Sequence, residues 1–408
     1  MKKTLFICAL LFLFACNLLA QSSTIGLDKN QITVGIVDSI YSNILQEKRP
    51  IWISIPESAE NSQKRFPVIY VLDGTAHFYS TVGMVHQLSV ANGNNIIPEM
   101  IVVGIPNTDR VRDLTPSKVP YLASSGGAEN FSSFLENELI PYIDSKYQTT
   151  PYRTLVGHSW AGLFTLNTLI HHPAIFDNYV AIDPSIRWNN LSFFEEASHI
   201  LKSESFKKKS LYLAVANRLP KGLDLNTVLE DTLSSSEHMR TILAFKNICE
   251  QADQLNFDWK FYLNDNHNGV PFAASYDAVR SLFDWYNFDE EFLFQEGLGM
   301  NVDDLMTVIT NHFENIADHF NYSFPPPESS INRYGDIMLS VQQDDKAFAL
   351  YNLNINNYPK SYRAYDAMGD FYRSQSNKEK ATEFYKKSLS LHDTEVVRRK
   401  LDNLSESQ

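Results

Sequence analysis

Residues 154–170 read TLVGHSWAGLFTLNTLI, and they contain the most informative pattern in the sequence. An apolar run at its start predicts a short strand, a tight turn follows, and a helical pattern begins at Leu163. In this order, strand, turn and helix expose the hydroxyl of the turn residue Ser159 at the carboxyl end of the strand. Small neighbours are needed because helix and strand approach closely, and Gly157 meets that need. Ala161 stands where glycine is usual, and we expect its methyl group to be tolerated.

On both sides of this stretch, short β-branched or apolar runs bounded by turn residues predict six further strands. In addition to the strand at 154–156, strands are predicted at 51–55, 67–72, 100–104, 179–182, 211–216 and 259–263. Amphipathic patterns between them predict helices, such as one over 130–147. Strands that alternate with helices predict an α/β fold with a mostly parallel central sheet.

A serine hydroxyl needs a base that takes its proton, and in this kind of fold the base comes late in the chain. Among eleven histidines, His267 follows the last predicted strand and precedes a helix predicted over 275–286. We therefore predict His267 as the general base. His158 lies next to Ser159, but adjacent side chains on such a turn diverge, so we expect it to line the substrate site.

The third member of a triad is a carboxylate that orients the imidazole, and we expect it after the strand 211–216. No acidic residue follows that strand closely. Four lie in the long connection beyond it: Asp224, Glu230, Asp231 and Glu237. We favour Asp231, while the other three residues, or a serine–histidine pair without an acid, stay open.

Two backbone N–H groups are needed to stabilise the oxyanion of an acyl-transfer reaction. One candidate is the N–H of Trp160, directly after the nucleophile. The second is that of Thr75 or Gly74, in the turn after the strand 67–72. The sequence contains no H-E-x-x-H, C-x-x-C, P-loop or G-x-G-x-x-G motif, so we expect neither a metal nor a nucleotide cofactor.

The N-terminus has the layout of a secretory signal peptide over residues 1–20. Lys2 and Lys3 precede an apolar run that ends in small residues near Ala20. We favour cleavage after Ala20, which predicts a periplasmic or secreted protein; the alternative is a lipoprotein anchored at Cys16. No later window is apolar over the roughly 20 residues that a transmembrane helix needs. Cleavage changes the formal charge from −13 to −15, and this acidity disfavours nucleic acid as a partner.

Beyond residue 286 the strand patterns stop, and helical patterns continue to the C-terminus. We predict a hydrolase-type domain over 31–290, a helical linker over 291–327 and repeats over 328–404. The repeat has an offset of 34 residues, at which Gly335–Asp336, Lys346–Ala347 and Tyr351 recur as Gly369–Asp370, Lys380–Ala381 and Tyr385. This period resembles tetratricopeptide repeats. Since two copies are few, we expect the tail to dock on the α/β domain or to contain a further helix pair within 303–330.

Five segments resemble the putative esterase (esterase D-like) family of α/β hydrolases, especially its enterobactin- and salmochelin-esterase-like branch. They are YVLDG at 70–74, VGIPNTDRVRDLTP at 103–116, GHSWAG at 157–162, DPS at 183–185 with Trp188, and HNGVP at 267–271. The resemblance spans about residues 31–290. It implies an α/β-hydrolase fold and metal-free hydrolysis of carboxylic esters through an acyl-enzyme, with Ser159 and His267 at the catalytic positions. Family members with C-terminal tetratricopeptide-like repeats are known, and the tail here resembles that arrangement.

The sequence therefore predicts an exported serine esterase that acts on a small-molecule ester such as a siderophore, or on an acyl group of a carbohydrate. Arg110 and Arg112 are candidates to contact an anionic substrate, although ion pairs with Asp109 or Asp113 would also explain them. The alternative is an inactive hydrolase-fold scaffold that binds a partner protein through its tail.

Overall fold

The structure is a computed structural model, and it describes residues 32–61 and 64–406. The predicted signal peptide, residues 1–20, lies outside the described residues and stays a prediction. Within the described part of the chain, no helix is both long and apolar enough to cross a bilayer.

The described residues contain one sheet of eight strands, in the spatial order β1-β2-β4-β3-β5-β6-β7-β8. The strands are β1 (Ile36–Ser42), β2 (Glu47–Ser54), β3 (Phe66–Leu72), β4 (Ile101–Ile105), β5 (Thr149–His158), β6 (Asn178–Ile182), β7 (Ser205–Ala216) and β8 (Asp253–Tyr262). β2 runs antiparallel to β4, and every pairing from β4 to β8 is parallel. All seven predicted strands are confirmed, and β1 is additional.

Within the described part of the chain, eight α-helices accompany the sheet. They are α1 (Gly74–Ser89), α2 (Arg110–Leu114), α3 (Ala128–Phe134), α4 (Ile140–Lys146), α5 (Trp160–His171), α6 (Ser192–Ser203), α7 (Glu237–Cys249) and α8 (Val270–Leu282). A π-helical turn, Leu135–Leu139, joins α3 to α4, so the helix predicted over 130–147 is present as one bent unit. The expected α/β-hydrolase fold with a mostly parallel sheet is confirmed.

Two apolar layers cover the two faces of the sheet, and β3 shows how one strand serves both. Val68, Tyr70 and Leu72 belong to one layer, whereas Ile69 and Val71 belong to the other. Successive side chains of a strand point to opposite faces, so a central strand must be apolar throughout. β3, β4 and β6 are fully buried along their whole length, which fixes them as the centre of the sheet.

The C-terminal part is entirely helical. It contains α9 (Glu291–Phe294), α10 (Glu296–Gly299), α11 (Val302–Phe320), α12 (Glu328–Ser340), α13 (Asp344–Asn357), α14 (Tyr362–Ser374), α15 (Lys378–Leu391) and α16 (Glu395–Glu406). α11 docks on the α/β domain, where the ring of Phe320 lies 5.5 Å from that of Tyr152 and 5.4 Å from that of Trp285. The apolar layer that contains Ile69 therefore continues into the tail, as far as Phe371.

The 34-residue repeat has a structural counterpart. The hydroxyl of Tyr351 donates to Asp336 at 2.6 Å, and that of Tyr385 donates to Asp370 at 2.7 Å. At each copy the tyrosine ring packs on a glycine: a Cβ added at Gly335 would lie 2.7 Å from the Tyr351 ring, and the equivalent distance at Gly369 is 2.5 Å. Glycine at this position lets the two helices of each copy approach each other closely. The likeness to tetratricopeptide repeats stays a prediction.

Candidate active site

Ser159 lies at the sharp turn between β5 and α5. Its backbone has φ 62° and ψ −116°, a conformation that costs free energy for a residue other than glycine and persists only where the surroundings hold it. The Ser159 N–H donates to the carbonyl of Ile182 at 3.0 Å, and the Ser185 N–H donates to the carbonyl of Ser159 at 3.1 Å. The neighbouring strand β6 and its loop thus fix the strained turn that presents the hydroxyl.

The small residues of the turn are required by contact with backbone atoms. A Cβ on Gly157 would lie 2.2 Å from the carbonyl oxygen of Ala161. One on Gly162 would lie 3.1 Å from the carbonyl oxygen of Ile182. Ala161 itself is fully buried, so the turn accommodates its methyl group inside the core.

We expect Gly157→Ala to lower the free energy of unfolding by at least about 3 kcal/mol, the upper end of ordinary overpacking, because a backbone atom cannot move aside as a side chain can. Chemical denaturation measures the loss. The matched control is Gly83→Ala in α1, where an added Cβ meets nothing within 4 Å. Alanine is the better helix former, so the control should be neutral or stabilised by up to about 1 kcal/mol. Equal stability of the two variants would contradict this account of the turn.

His267 lies in the loop between β8 and α8. Its Nε2 is 3.1 Å from the Oγ of Ser159, within hydrogen-bond distance. Asn217, at the end of β7, fastens this loop: its N–H donates to the carbonyl of Asp265 and its Nδ2 donates to that of Leu263, both at 2.8 Å. The structure therefore brings together the two residues that the sequence singled out 108 positions apart.

The carboxylate beside His267 is Asp183, which corrects the prediction of Asp231. The Oδ2 of Asp183 lies 2.5 Å from the Nδ1 of His267. Asp231 instead accepts from the backbone N–H of Leu233 at 3.4 Å. The other three candidates also face elsewhere: Asp224 caps the turn at Thr227, Glu237 pairs with Arg187, and Glu230 is exposed.

Asp183 directly follows β6, and its side chain is fully buried. Burial raises the pKa of its carboxyl group, but hydrogen bonds from His238 and His267 outweigh burial and hold the pKa below its ordinary value. The Ala216 N–H also donates to its Oδ1, at 3.3 Å. Asp183 is therefore an ionised carboxylate with several donors around it.

The sequence contains a signal for Asp183, which directly follows the strand predicted over 179–182. β5 and β6 are parallel neighbours, and their pairing register sets His158 beside Ile182. The next residue of each strand is Ser159 and Asp183, so the two emerge side by side at the same sheet edge. A search after every strand beside the nucleophile strand would have included Asp183.

His158 packs on the imidazole of His267. The two ring centroids are 4.5 Å apart with 41° between the planes, and the ring of His77 lies 6.0 Å from that of His158. Burial lowers the pKa of His158 to about 4, and repulsion from His267 and His77 adds to the effect. Its Nε2 is buried and has no hydrogen-bond partner among the described residues. His158 is thus a neutral ring against the base, and contact with a substrate stays a prediction.

The guanidinium groups of Arg110 and Arg112 are both engaged in ion pairs. Arg110 binds Asp73 through two hydrogen bonds of 2.7 and 2.8 Å, and it lies 5.3 Å from the ring of Trp160. Arg112 binds Asp113 and Glu47, each at 2.7 Å, and its hydrogen bond lowers the pKa of Glu47 to about 2. The ion pair with Asp113 that the sequence offered as the alternative for Arg112 is present, and contact of Arg112 with a substrate stays a prediction. Arg110 lies beside Trp160, the residue directly after the nucleophile.

The candidate oxyanion donors lie at two helix N-termini that open at one edge of the sheet. Trp160 is the first residue of α5, and Gly74 and Thr75 are the first two of α1. The N–H groups of a first helical turn have no carbonyl partner within the helix. A Cβ on Gly74 would lie 2.6 Å from the backbone nitrogen of Ile105, which shows how closely the start of α1 approaches β4.

Ser185 is a neighbour of the nucleophile that sequence reasoning did not assign. Its Oγ lies 3.4 Å from the Oγ of Ser159. Further along the same loop, the ring of Trp188 meets that of Trp160 edge-on at 6.2 Å, and its indole N–H donates to Ser117 at 3.1 Å. The loop after β6 thus supplies a carboxylate, a hydroxyl and an aromatic wall.

Comparison with known proteins agrees with this geometry. The model of the family described as putative esterase matches residues 42–293. The chain belongs to this family. One esterase relative is the ferri-bacillibactin esterase BesA of Bacillus subtilis, 34% identical over an alignment of 169 residues that covers 37% of this chain and 58% of that protein. Another is the siderophore enterobactin esterase of Emericella nidulans, 32% identical over an alignment of 165 residues that covers 36% of this chain and 54% of that protein. The chain thus spans little more than half the length of these curated esterases.

Among solved structures, an IroE-like serine hydrolase from Shewanella oneidensis is similar to this esterase-family chain. It has a TM-score of 0.66 and 27% identity, and the match covers 79% of this chain and 99% of that one. A protein from Capnocytophaga ochracea has a TM-score of 0.60 at 19% identity, with 91% and 99% covered. The second match shows that the fold is shared over most of the chain, tail included.

Proposed function

We propose that this protein is a serine hydrolase that cleaves carboxylic esters through an acyl-enzyme intermediate. One observation carries the proposal: Ser159 Oγ, the His267 imidazole and the Asp183 carboxylate form a continuous hydrogen-bonded chain, with distances of 3.1 and 2.5 Å. Nucleophile, base and orienting acid in this order activate a serine hydroxyl.

In the acylation step, His267 Nε2 accepts the proton of Ser159 while the serine oxygen attacks the ester carbonyl carbon. The carbonyl oxygen becomes an oxyanion, stabilised by the N–H of Trp160 and that of Thr75 or Gly74. Each such donor contributes about 3–4 kcal/mol to the stability of the transition state. The tetrahedral intermediate then expels the alcohol, which takes the proton from His267, and the acyl group stays on Ser159.

Deacylation repeats the same chemistry with water. His267 takes a proton from the water molecule as it attacks the acyl carbon, and then returns that proton to Ser159 as the acid product leaves. Asp183 stays ionised throughout and stabilises the imidazolium that forms in each step. Because His158 is neutral, it packs on His267 without adding a second positive charge beside that imidazolium.

For the substrate, we propose a small-molecule ester of the siderophore type, or an acyl group carried by a carbohydrate. The names of the relatives support the first class. The N-terminal sequence supports export to the periplasm or beyond. We also propose that the helical tail binds a partner protein, on the basis of its resemblance to tetratricopeptide repeats.

A fluorophosphonate probe tests the nucleophile directly, because it phosphonylates only activated serines. We expect labelling of the full-length protein, with the modification mapped to the peptide that contains Ser159. Ser159→Ala should abolish labelling and hydrolysis of p-nitrophenyl acetate, while Ser185→Ala, which removes the neighbouring hydroxyl, should still be labelled. A wild-type protein that is inert to the probe and to a broad ester panel would overturn the proposal and favour an inactive scaffold.

A further inference from the structure

Asp183 has two imidazoles on its carboxylate, and the mechanism above uses only one. Oδ2 faces His267 Nδ1 at 2.5 Å, while Oδ1 faces the Nε2 of His238 at 3.2 Å. We propose that His238 is a positioning residue that holds Asp183 so that Oδ2 stays aimed at His267. This inference rests on the proposed function and assigns a role to a residue outside the triad.

The position of Asp183 explains why a second holder is needed. The residue lies just beyond the end of β6 with φ 37°, so its backbone is no longer in regular strand geometry. Rotation of the carboxylate about its χ angles would break the bond to His267. Oδ1 accepts a further hydrogen bond from the backbone N–H of Ala216, at 3.3 Å. A side-chain donor on Oδ1 fixes the plane of the carboxylate group.

His238 is itself rigidly placed. It is the second residue of α7, and only 12% of its side chain is exposed. The next residue, Met239, is fully buried in the apolar layer beneath the helix. Glu237, the first residue of α7, forms an ion pair with Arg187 from the loop that follows Asp183. The start of α7 is therefore held by the burial of Met239 and by the ion pair of Glu237.

The charged and titratable groups around Asp183 come from four elements. They are His267 from the β8–α8 loop, His238 from α7, Arg218 from the loop after β7 at 3.7 Å, and His158 from β5. Arg218 is 43% exposed, so water screens its charge, and its distance is too long for a hydrogen bond. His238 is the side chain, mostly buried, that bonds the carboxylate oxygen not used by His267. His238 does not hydrogen-bond to Ser159 in the structure, so it acts through Asp183.

A set of variants on full-length protein tests this role with p-nitrophenyl acetate. His238→Phe keeps the ring but removes the donor, and we expect kcat to fall about 10-fold to 100-fold, as for other supporting partners of a functional group, with KM nearly unchanged. His238→Gln restores an N–H donor and should recover most of kcat. His199→Phe, on the exposed side of α6, is the matched control and should keep wild-type activity. Thermal unfolding verifies that each variant is folded, and His238→Leu replaces His238→Phe if the latter does not fold.

A double-mutant cycle separates positioning from mere packing. If His238 acts through Asp183, adding His238→Phe to Asp183→Asn should change kcat by less than about 2-fold, because the effects of coupled residues are not additive. Equal losses in both backgrounds, or a His238→Gln variant as slow as His238→Phe, would overturn the proposal.

A measurement without turnover distinguishes this inference from the proposed function. The His267 Nδ1 proton is hydrogen-bonded to Asp183, and proton NMR can observe it as a downfield resonance in inactive Ser159→Ala protein. We expect His238→Phe to shift or broaden this resonance in that background. If the wild type hydrolyses no ester but the resonance depends on His238, the positioning role stands and the proposed function fails. If the wild type is active but His238→Phe leaves the resonance unchanged in the Ser159→Ala background, the positioning role alone is refuted.

Discussion

Asp183→Asn is expected to lower kcat on p-nitrophenyl acetate by about 10⁴-fold, the loss that follows when the acid of such a triad becomes an amide. The carboxylate accepts hydrogen bonds from His267, His238 and the Ala216 N–H. An amide offers one acceptor oxygen and turns its NH₂ group toward a donor. Whichever way the amide is oriented, His267 either adopts the wrong tautomer or loses the negative charge that stabilises its protonated form.

Asp231→Asn is the matched control for this experiment, because it makes the same chemical change at the residue that sequence reasoning favoured. We expect kcat within about 2-fold of the wild type, since the carboxylate of Asp231 bonds the Leu233 N–H and not His267. Steady-state rates of both variants, with unfolding curves to verify their folding, decide the assignment. A large loss in Asp231→Asn with normal activity in Asp183→Asn would reverse it.

The nucleophile and base could be predicted because their signals are local. Ser159 lies in a strand–turn–helix pattern within a dozen residues, and His267 follows the last strand of the domain. The acid depends on which strands are neighbours in the sheet, and sequence order does not give that. β5 pairs with β6, and β6 pairs with β7, so the carboxyl ends of both β6 and β7 lie near the nucleophile. The acid can therefore follow either β6 or β7, and the sequence alone does not distinguish the two positions.

The fold was predictable where burial leaves a strong pattern and less so at its edges. Central strands such as β3 are apolar throughout, whereas most residues of the outermost strand β1 are partly or fully exposed, so its composition gives little signal. The sequence offered Asp113 as a partner for Arg112, but the partners Asp73 and Glu47 were hidden for a related reason. Arg110 pairs with Asp73, 37 positions away, and Arg112 with Glu47, 65 positions away. Such pairs form only when distant segments meet.

Asp113→Asn is expected to lower the free energy of unfolding by about 3 kcal/mol. Asp113 is almost fully buried; its Oδ2 accepts from Arg49 at 2.6 Å and its Oδ1 from Arg112 at 2.7 Å. The side chain of Arg49 is fully buried, so the amide leaves a buried guanidinium with less negative charge beside it. Breaking a buried ion pair costs about 3–5 kcal/mol, and Glu47, 2.8 Å from Arg49, keeps the loss near the lower end.

Urea denaturation measures this loss, and Asp393→Asn is its control because Asp393 pairs with Arg398 on the surface, where such pairs contribute up to about 1 kcal/mol. The substitution should also affect the candidate active site. Asp113 lies in α2 with Arg110, which binds Asp73 just before the expected oxyanion donors of α1. Asp113→Asn should therefore also reduce esterase activity at urea concentrations well below the unfolding midpoint of the variant. Asp393→Asn should not reduce activity under these conditions. Equal stability losses in the two variants would show that the buried network does not hold this segment in place.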